Sequence, residues 1–293
     1  MLLLTLTLLS ASAVACPPEG YPLPRLQALK AEGFALADDG ERQALALAVT
    51  GCLDHVDPAL RDGVAYEAIA TWLRAGLLDA ETRQALLARL TPMIETETLD
   101  PQGFGKPFAA LVLSEVARSD RVEPWMSAEQ RATLVDLAAA YLADLRDYRG
   151  FDDRQGWRHG VAHGADLAMQ LVLNTAVDKA QLDSLLNAVA EQVAPAGEHA
   201  YIFNEPERLA RPVLYAAMRG LHSNDEWQAW FAKVAAPAPL KAWGDAFSSR
   251  AGLARRHNMQ AFLQSIYVNS RDSQNPKLAA LAPIALEALK TMN

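Results

Sequence analysis

Residues 156–194 read GWRHGVAHGADLAMQLVLNTAVDKAQLDSLLNAVAEQVA. Two runs in this stretch carry apolar residues at i, i+3 and i+4, the spacing that gathers them on one face of a helix. The first run covers 156–174. The second begins after Asp178, whose carboxylate can accept from the free N–H groups of a first helical turn. A short connection between two amphipathic helices reads as an antiparallel helical hairpin.

The same pairing recurs along the chain. Asp57-Pro58 opens a helix that stops near Gly76, and Asp79 caps its partner. KPFAALVLSEVAR (106–118) is followed by a helix capped at Ser127, EPERLARPVLYAAMRG (205–220) by NDEWQAWFAKVA (224–235), and RHNMQAFLQSIYVNS by PKLAALAPIALEALK. The first members start near 59, 106, 156, 205 and 255, a spacing of roughly 47–50 residues that matches helical-hairpin repeats. No residue-level motif repeats with that period. The expected fold is therefore all-α, one helical domain over 16–293 built of stacked antiparallel hairpins in the manner of a HEAT or armadillo α-solenoid. A closed α/α toroid is the second arrangement, and an irregular two-lobed bundle the third. APAPLKAWGD (236–245) is the nearest stretch to a linker, and a long loop accounts for it equally well.

The composition agrees with helix. Of 293 residues 51% are hydrophobic, only 7% are aromatic, and Leu and Ala dominate. A net charge of −8 and the absence of any basic run longer than Arg255-Arg256 argue against nucleic acid, whose phosphates require a positive surface, and against an anionic membrane. No glycine-rich phosphate loop, dinucleotide fingerprint or nucleophile elbow around Ser114 or Ser127 is present.

Residues 1–15, MLLLTLTLLSASAVA, form an uncharged apolar run ending in Ala-Val-Ala. It reads as a signal peptide with cleavage before Cys16, and it is too short for a comfortable membrane span. The expected location is therefore exported, periplasmic or secreted. Cys16 and Cys52, the two cysteines, leave two alternatives: a disulfide in an oxidising compartment, or a lipoprotein carrying lipid on Cys16. No later stretch is a transmembrane segment.

Taken as one helix from 156, the opening run puts His159, His163, Asp166 and Gln170 within about 60° of arc. Gly156, Gly160 and Gly164 fill the neighbouring arc. Three glycines cost such a helix roughly 1 kcal/mol each against alanine, so propensity does not explain them, whereas close approach by another helix or a ligand does. Asp152 and Asp153 precede the run and suit a helix N-terminus, and Trp157 offers a ring and an indole N–H. Three uses fit: a buried polar network, a divalent metal held by His159, His163 and Asp166, or a histidine base oriented by Asp166. The H-E-x-x-H protease mechanism is excluded, because Gly160 stands where the glutamate base belongs.

Arg208 and Arg211, behind Glu205 and Glu207, offer an anion site, with capping and intrahelical ion pairs as the plainer account. Arg255, Arg256, His257 and Asn258 could supply groups to a cleft, with a solvated helix start as the plainer account. His199 and His222 fall in loops, while Trp72, Trp227, Trp230 and Trp243 read as packing residues.

Residues 57–78, 148–171 and 255–268 together resemble a bacterial family known as a domain of unknown function. Its G-W-x-H-x-x-A-H-x-A-D core, which follows an R-G segment, falls on Gly156, Trp157, His159, Ala162, His163, Ala165 and Asp166, with Arg149-Gly150 upstream. The chain departs at Lys106-Pro107-Phe108, where the family pattern reads R-S-F, which puts any role of that Arg-Ser pair in doubt. The resemblance implies an all-helical protein and brings no activity. The function expected from the residues is a binding or interaction module for a protein or small-molecule ligand, with its polar site at 152–166. A metal-assisted hydrolase using His159, His163 and Asp166 is the alternative, and an envelope scaffold the third reading.

Overall fold

The computed structural model describes residues 15–292, so the expected leader, Ala15 apart, lies outside the described residues. Two short helices, α1 (Leu23–Ala31) and α2 (Asp39–Ala48), come first. α3 (Pro58–Leu60) runs through a π-helical turn, Arg61–Tyr66, into α4 (Glu67–Arg74). Then follow α5 (Ala80–Leu90), α6 (Gly105–Val122) and α7 (Ala128–Asp144). A small hairpin, β1 (Phe151–Asp152) and β2 (Gly156–Trp157), precedes α8 (Gly160–Leu173) and α9 (Lys179–Val193). α10 (Glu205–Arg219), α11 (Asn224–Val234), α12 (Arg250–Ser270), α13 (Pro276–Ala279) and α14 (Leu281–Lys290) complete the chain. The fold is all-α apart from that hairpin.

The helices start where their caps dictate. Asp57 accepts from the Ala59 N–H at 2.9 Å and Asp79 from Thr82 at 2.7 Å. Ser127 with Gln130, Asp178 with Gln181 and Ser223 with Glu226 form reciprocal capping boxes. Each cap satisfies N–H groups that have no partner within the helix and contributes about 1 kcal/mol.

Packing follows chain order: α4 lies against α6, α6 against α8, α8 against α10, α10 against α12, and α12 against α14. α7 packs on both α8 and α9. One cluster of buried apolar side chains extends from Leu26 to Met292. The 236–245 stretch is tied into it through Trp243, which is buried and donates its indole N–H to Ala235 O at 3.1 Å. Cys16 and Cys52 form a disulfide. No helix among the described residues is long and apolar enough to cross a membrane.

The helix of the third pair begins at Gly160, not at 156. Asp152 accepts from the N–H groups of Arg154 (2.9 Å) and Gln155 (2.8 Å), closing a turn over 153–155, and Gly156 takes φ +73°. Phe151 then pairs across the hairpin with Trp157. The ladder continues as the N–H groups of Arg158 and His159 donate to Gly150 O and Arg149 O. His159 itself sits at φ +56°, the left-handed bend that turns the chain into α8. A helix over 156–159 would forfeit these bonds, and the glycines make it costly. The expectation for 255–258 is also corrected: α12 begins at Arg250, and Asn258 lies fully buried within it.

Candidate functional site

The 150–166 segment divides into an exposed half and a sealed half. On the exposed half, Phe151 (46% accessible) and Trp157 (37%) face solvent with ring centroids 5.0 Å apart. Trp157 stacks on His159 at 4.6 Å and meets the edge of Phe203 at 5.7 Å. His159 lies 5.8 Å from His163, and His163 lies 5.2 Å from Phe108, so rings run in contact from solvent into the core. Gly150 makes the approach of Phe203 possible, since a Cβ there would fall 2.0 Å from that ring.

The sealed half is a network of bonds between helices. His159 donates from Nε2 to Phe203 O at 3.0 Å, and His163 from Nδ1 to Pro107 O at 3.2 Å. A ring nitrogen facing a carbonyl must carry the hydrogen, which fixes both tautomers. Because a backbone carbonyl receives His163, the departure at Lys106-Pro107-Phe108 does not disturb this contact. Burial pushes the His159 imidazole down to about 4, reinforced by the nearby Arg208 charge. Burial likewise holds His163 well below the usual range, with His159 and Arg208 adding to the effect. Glu205, 2% accessible, places a carboxylate oxygen 4.0 Å from His159 Nε2 and accepts from the Phe203 N–H at 2.9 Å. Burial raises its carboxyl.

Asp166 accepts from Arg208 with both carboxylate oxygens, from Nε at 2.9 Å and from a terminal nitrogen on the same guanidinium edge. Arg208 therefore bridges α10 to α8 and is not part of an intrahelical pair, whereas Arg211 does bond Glu207 one turn earlier at 2.8 Å. Burial lowers the Arg208 guanidinium to about 10, still charged at neutral pH. Gln170 accepts from Arg121 Nε at 3.2 Å.

The metal set of His159, His163 and Asp166 is not assembled. Asp166 is turned to Arg208, and both imidazoles are bonded to carbonyls. Among the described residues no three His, Cys, Asp or Glu side chains come together in a group able to hold a metal. The base oriented by Asp166 fails for the same reason. Gly160 and Gly164 do serve close approach, and helix α7 is what approaches: a Cβ on Gly164 would lie 2.7 Å from Leu142 and 2.8 Å from the Tyr141 ring, whereas Gly156, in the hairpin, faces Pro58 and Arg61 instead. Asp152 holds the hairpin turn, and Asp153 is exposed at its tip.

Sequence reasoning gave no role to Arg158, which is buried, or to the loop 194–203 that faces it. Arg158 donates from Nε to Gln102 O and from a terminal nitrogen to Gln155 Oε1, both at 2.7 Å, with its guanidinium 4.2 Å over the Phe104 ring. The facing loop is held by α12: Asn258 accepts from the Tyr201 N–H at 2.8 Å and donates to His199 O at 3.0 Å, and Arg255 donates to Ala194 O at 2.6 Å. Between hairpin and loop lies a cleft of about 450 Å³ walled by Tyr148, Arg149, Phe151, Arg158, His199 and Phe203. The hairpin itself had a sequence signal, two aromatics flanking Asp-Asp-Arg-Gln-Gly.

A family model described as "Protein of unknown function (DUF2785)" matches residues 68–268, which takes in the hairpin, α8, α10 and most of α12. No curated protein and no solved structure matches the chain.

Proposed function

This chain belongs to the DUF2785 family, and from that premise we propose that it is a binding module whose recognition surface is the Phe151–Trp157 hairpin and the cleft beside it. One observation carries the proposal: a solvent-facing aromatic pair is braced from beneath by the buried His159 ring. Exposed aromatics on a rigid support offer contact area at low entropic cost, which is the economy of a recognition surface. Two non-glycine residues with left-handed backbone, His159 and Asn204, flank the same spot, and such strain gathers at functional positions. The recognition surface is thus the outer part of the 152–166 segment, while His163 and Asp166 hold the helices beneath it.

Export belongs to the same proposal. It is supported by the apolar run at 1–15 and by the Cys16–Cys52 disulfide, a bond that persists in oxidising compartments. The stacked-hairpin array and the single domain over 16–293 are likewise our reading, supported by the succession of α4, α6, α8, α10, α12 and α14.

The test is a fragment library screened by saturation-transfer NMR against the wild type and Trp157→Ala, with far-UV circular dichroism confirming that both are folded. Fragments that contact the wild type and not the variant support the proposal. Fragments that contact both proteins equally, or none that contact the wild type, would overturn it.

A further inference from the structure

Four arginines are buried among the described residues: Arg42, Arg61, Arg131 and Arg158. Three have a carboxylate, Asp39, Asp62 and Asp120 respectively. Arg158, only 8% accessible, has no carboxylate within ion-pair distance, and it lines the cleft. Its Nε and one terminal nitrogen are engaged by Gln102 and Gln155, and the hydrogen-bond capacity of its other terminal nitrogen is left over. Asp147 and Asp152 are near enough to act on its charge but do not bond it, and a buried cation with no directly paired anion is costly, a cost that a ligand carboxylate relieves.

A second lining residue repeats the pattern. His199 lines the same cleft, stacked on Tyr148 at 5.4 Å, and its Nε2 is buried without a partner. Buried polar atoms are normally bonded, so an orphan beside a cleft marks a place for a ligand atom. Burial holds the ring below its usual range, hence neutral and able to donate one N–H.

Resting on the binding-module reading, we propose that the cleft takes a carboxylate carried on a planar apolar body, with the carboxylate between Arg158 and His199 and the body against Tyr148, Phe151 and Phe203. The charges around the cleft select this class. Arg146 and Arg149 add positive charge, but Asp147 binds Arg149 at 2.8 Å, and Asp152 is also on the rim. Three arginines (Arg146, Arg149 and Arg158) against two aspartates (Asp147 and Asp152) leave the cleft one net positive charge, which one monoanion neutralises, and a guanidinium with an imidazole N–H matches the two oxygens of a carboxylate. The carboxylate can belong to a free small acid or to the C-terminus of a peptide.

Isothermal titration with hydrocinnamate, hydrocinnamamide, acetyl-Ala-Ala-Phe as free acid and as amide, and inorganic phosphate separates these cases. At least one acid is expected to bind about tenfold or more tightly than its amide, the margin of a charge-assisted hydrogen bond. The acid that binds identifies the source. His199→Phe keeps the stack on Tyr148 and should erase most of that margin, as should Arg158→Gln if it melts like the wild type. Acid and amide binding alike, with both lost in Trp157→Ala, would overturn the carboxylate assignment and leave the recognition surface standing. Phosphate outcompeting the acids, or none of the five probes binding, also overturns the assignment; fragments in the NMR screen that depend on Trp157 would still support the surface.

Discussion

Replacing His159 with asparagine tests the electrostatics of the sealed network. Asparagine accepts the left-handed backbone that His159 adopts at φ +56°, so the exchange removes the imidazole with little backbone strain. In the folded protein burial holds the imidazole at about 4, against an ordinary value of 6.5. Below pH 6.5 the unfolded chain therefore binds the proton that the folded chain refuses, and stability falls as pH falls toward 4. Between pH 7 and pH 4.5 His159 alone removes about 2 kcal/mol. His163 and His199, also depressed by burial, act in the same direction. Glu205 acts in the opposite one, because its raised carboxyl takes up a proton in the fold before it does in the unfolded chain. The lowered carboxyls of Asp120, Asp147 and Glu226 begin to lose their contributions as pH falls to their ordinary values, so only the start of that loss lies within this window, and it is common to both proteins. Urea unfolding at constant ionic strength, at pH 7 and pH 4.5, measures the difference directly. The wild type is expected to lose about 2 kcal/mol more than His159→Asn across that interval. Parallel losses in the two proteins would refute a buried, neutral His159.

Three further outcomes follow from packing. Gly164→Val pushes side-chain carbon into Leu142 and Tyr141 and should destabilise by about 1–3 kcal/mol in thermal melts, whereas Gly164→Ala costs less because better helix propensity offsets part of the clash. A neutral valine variant would show that α7 and α8 are not in close contact there. Arg208→Met strands the buried Asp166 and should cost about 3 kcal/mol; adding Asp166→Leu should recover more than half of it in a double-mutant cycle, and no recovery would mean that the pair is not coupled. Cys52→Ala opens a covalent loop with a sequence separation of 36 and should lower unfolding stability by about 3–4 kcal/mol under oxidising conditions, with no such difference in reductant.

Much of the fold was legible in the sequence. Apolar spacing and caps are local properties, read within three or four residues, and Asp57, Asp79, Ser127 and Asp178 all cap helices in the structure. The reading failed where two local patterns competed. At 156–159 a helical projection was extended across residues whose hairpin signal, aromatics on either side of a turn, was equally local and was backed by Asp152. At 255–258 polar residues suggested a solvated start, but each of the four bonds backbone atoms of distant segments.

The sequence by itself determined the helices, their caps, the polar residues of the central segment and the exclusion of a zinc-protease mechanism. Only the tertiary structure decided what those polar residues do. Asp166 meets a cation 42 positions away and His163 a carbonyl 56 positions away. Such partners depend on how α6, α8 and α10 pack, and periodicity sets which face of a helix is buried without choosing what it is buried against. The same holds for Arg158, one more arginine in the sequence, which the fold buries without a directly paired carboxylate at the edge of a cleft.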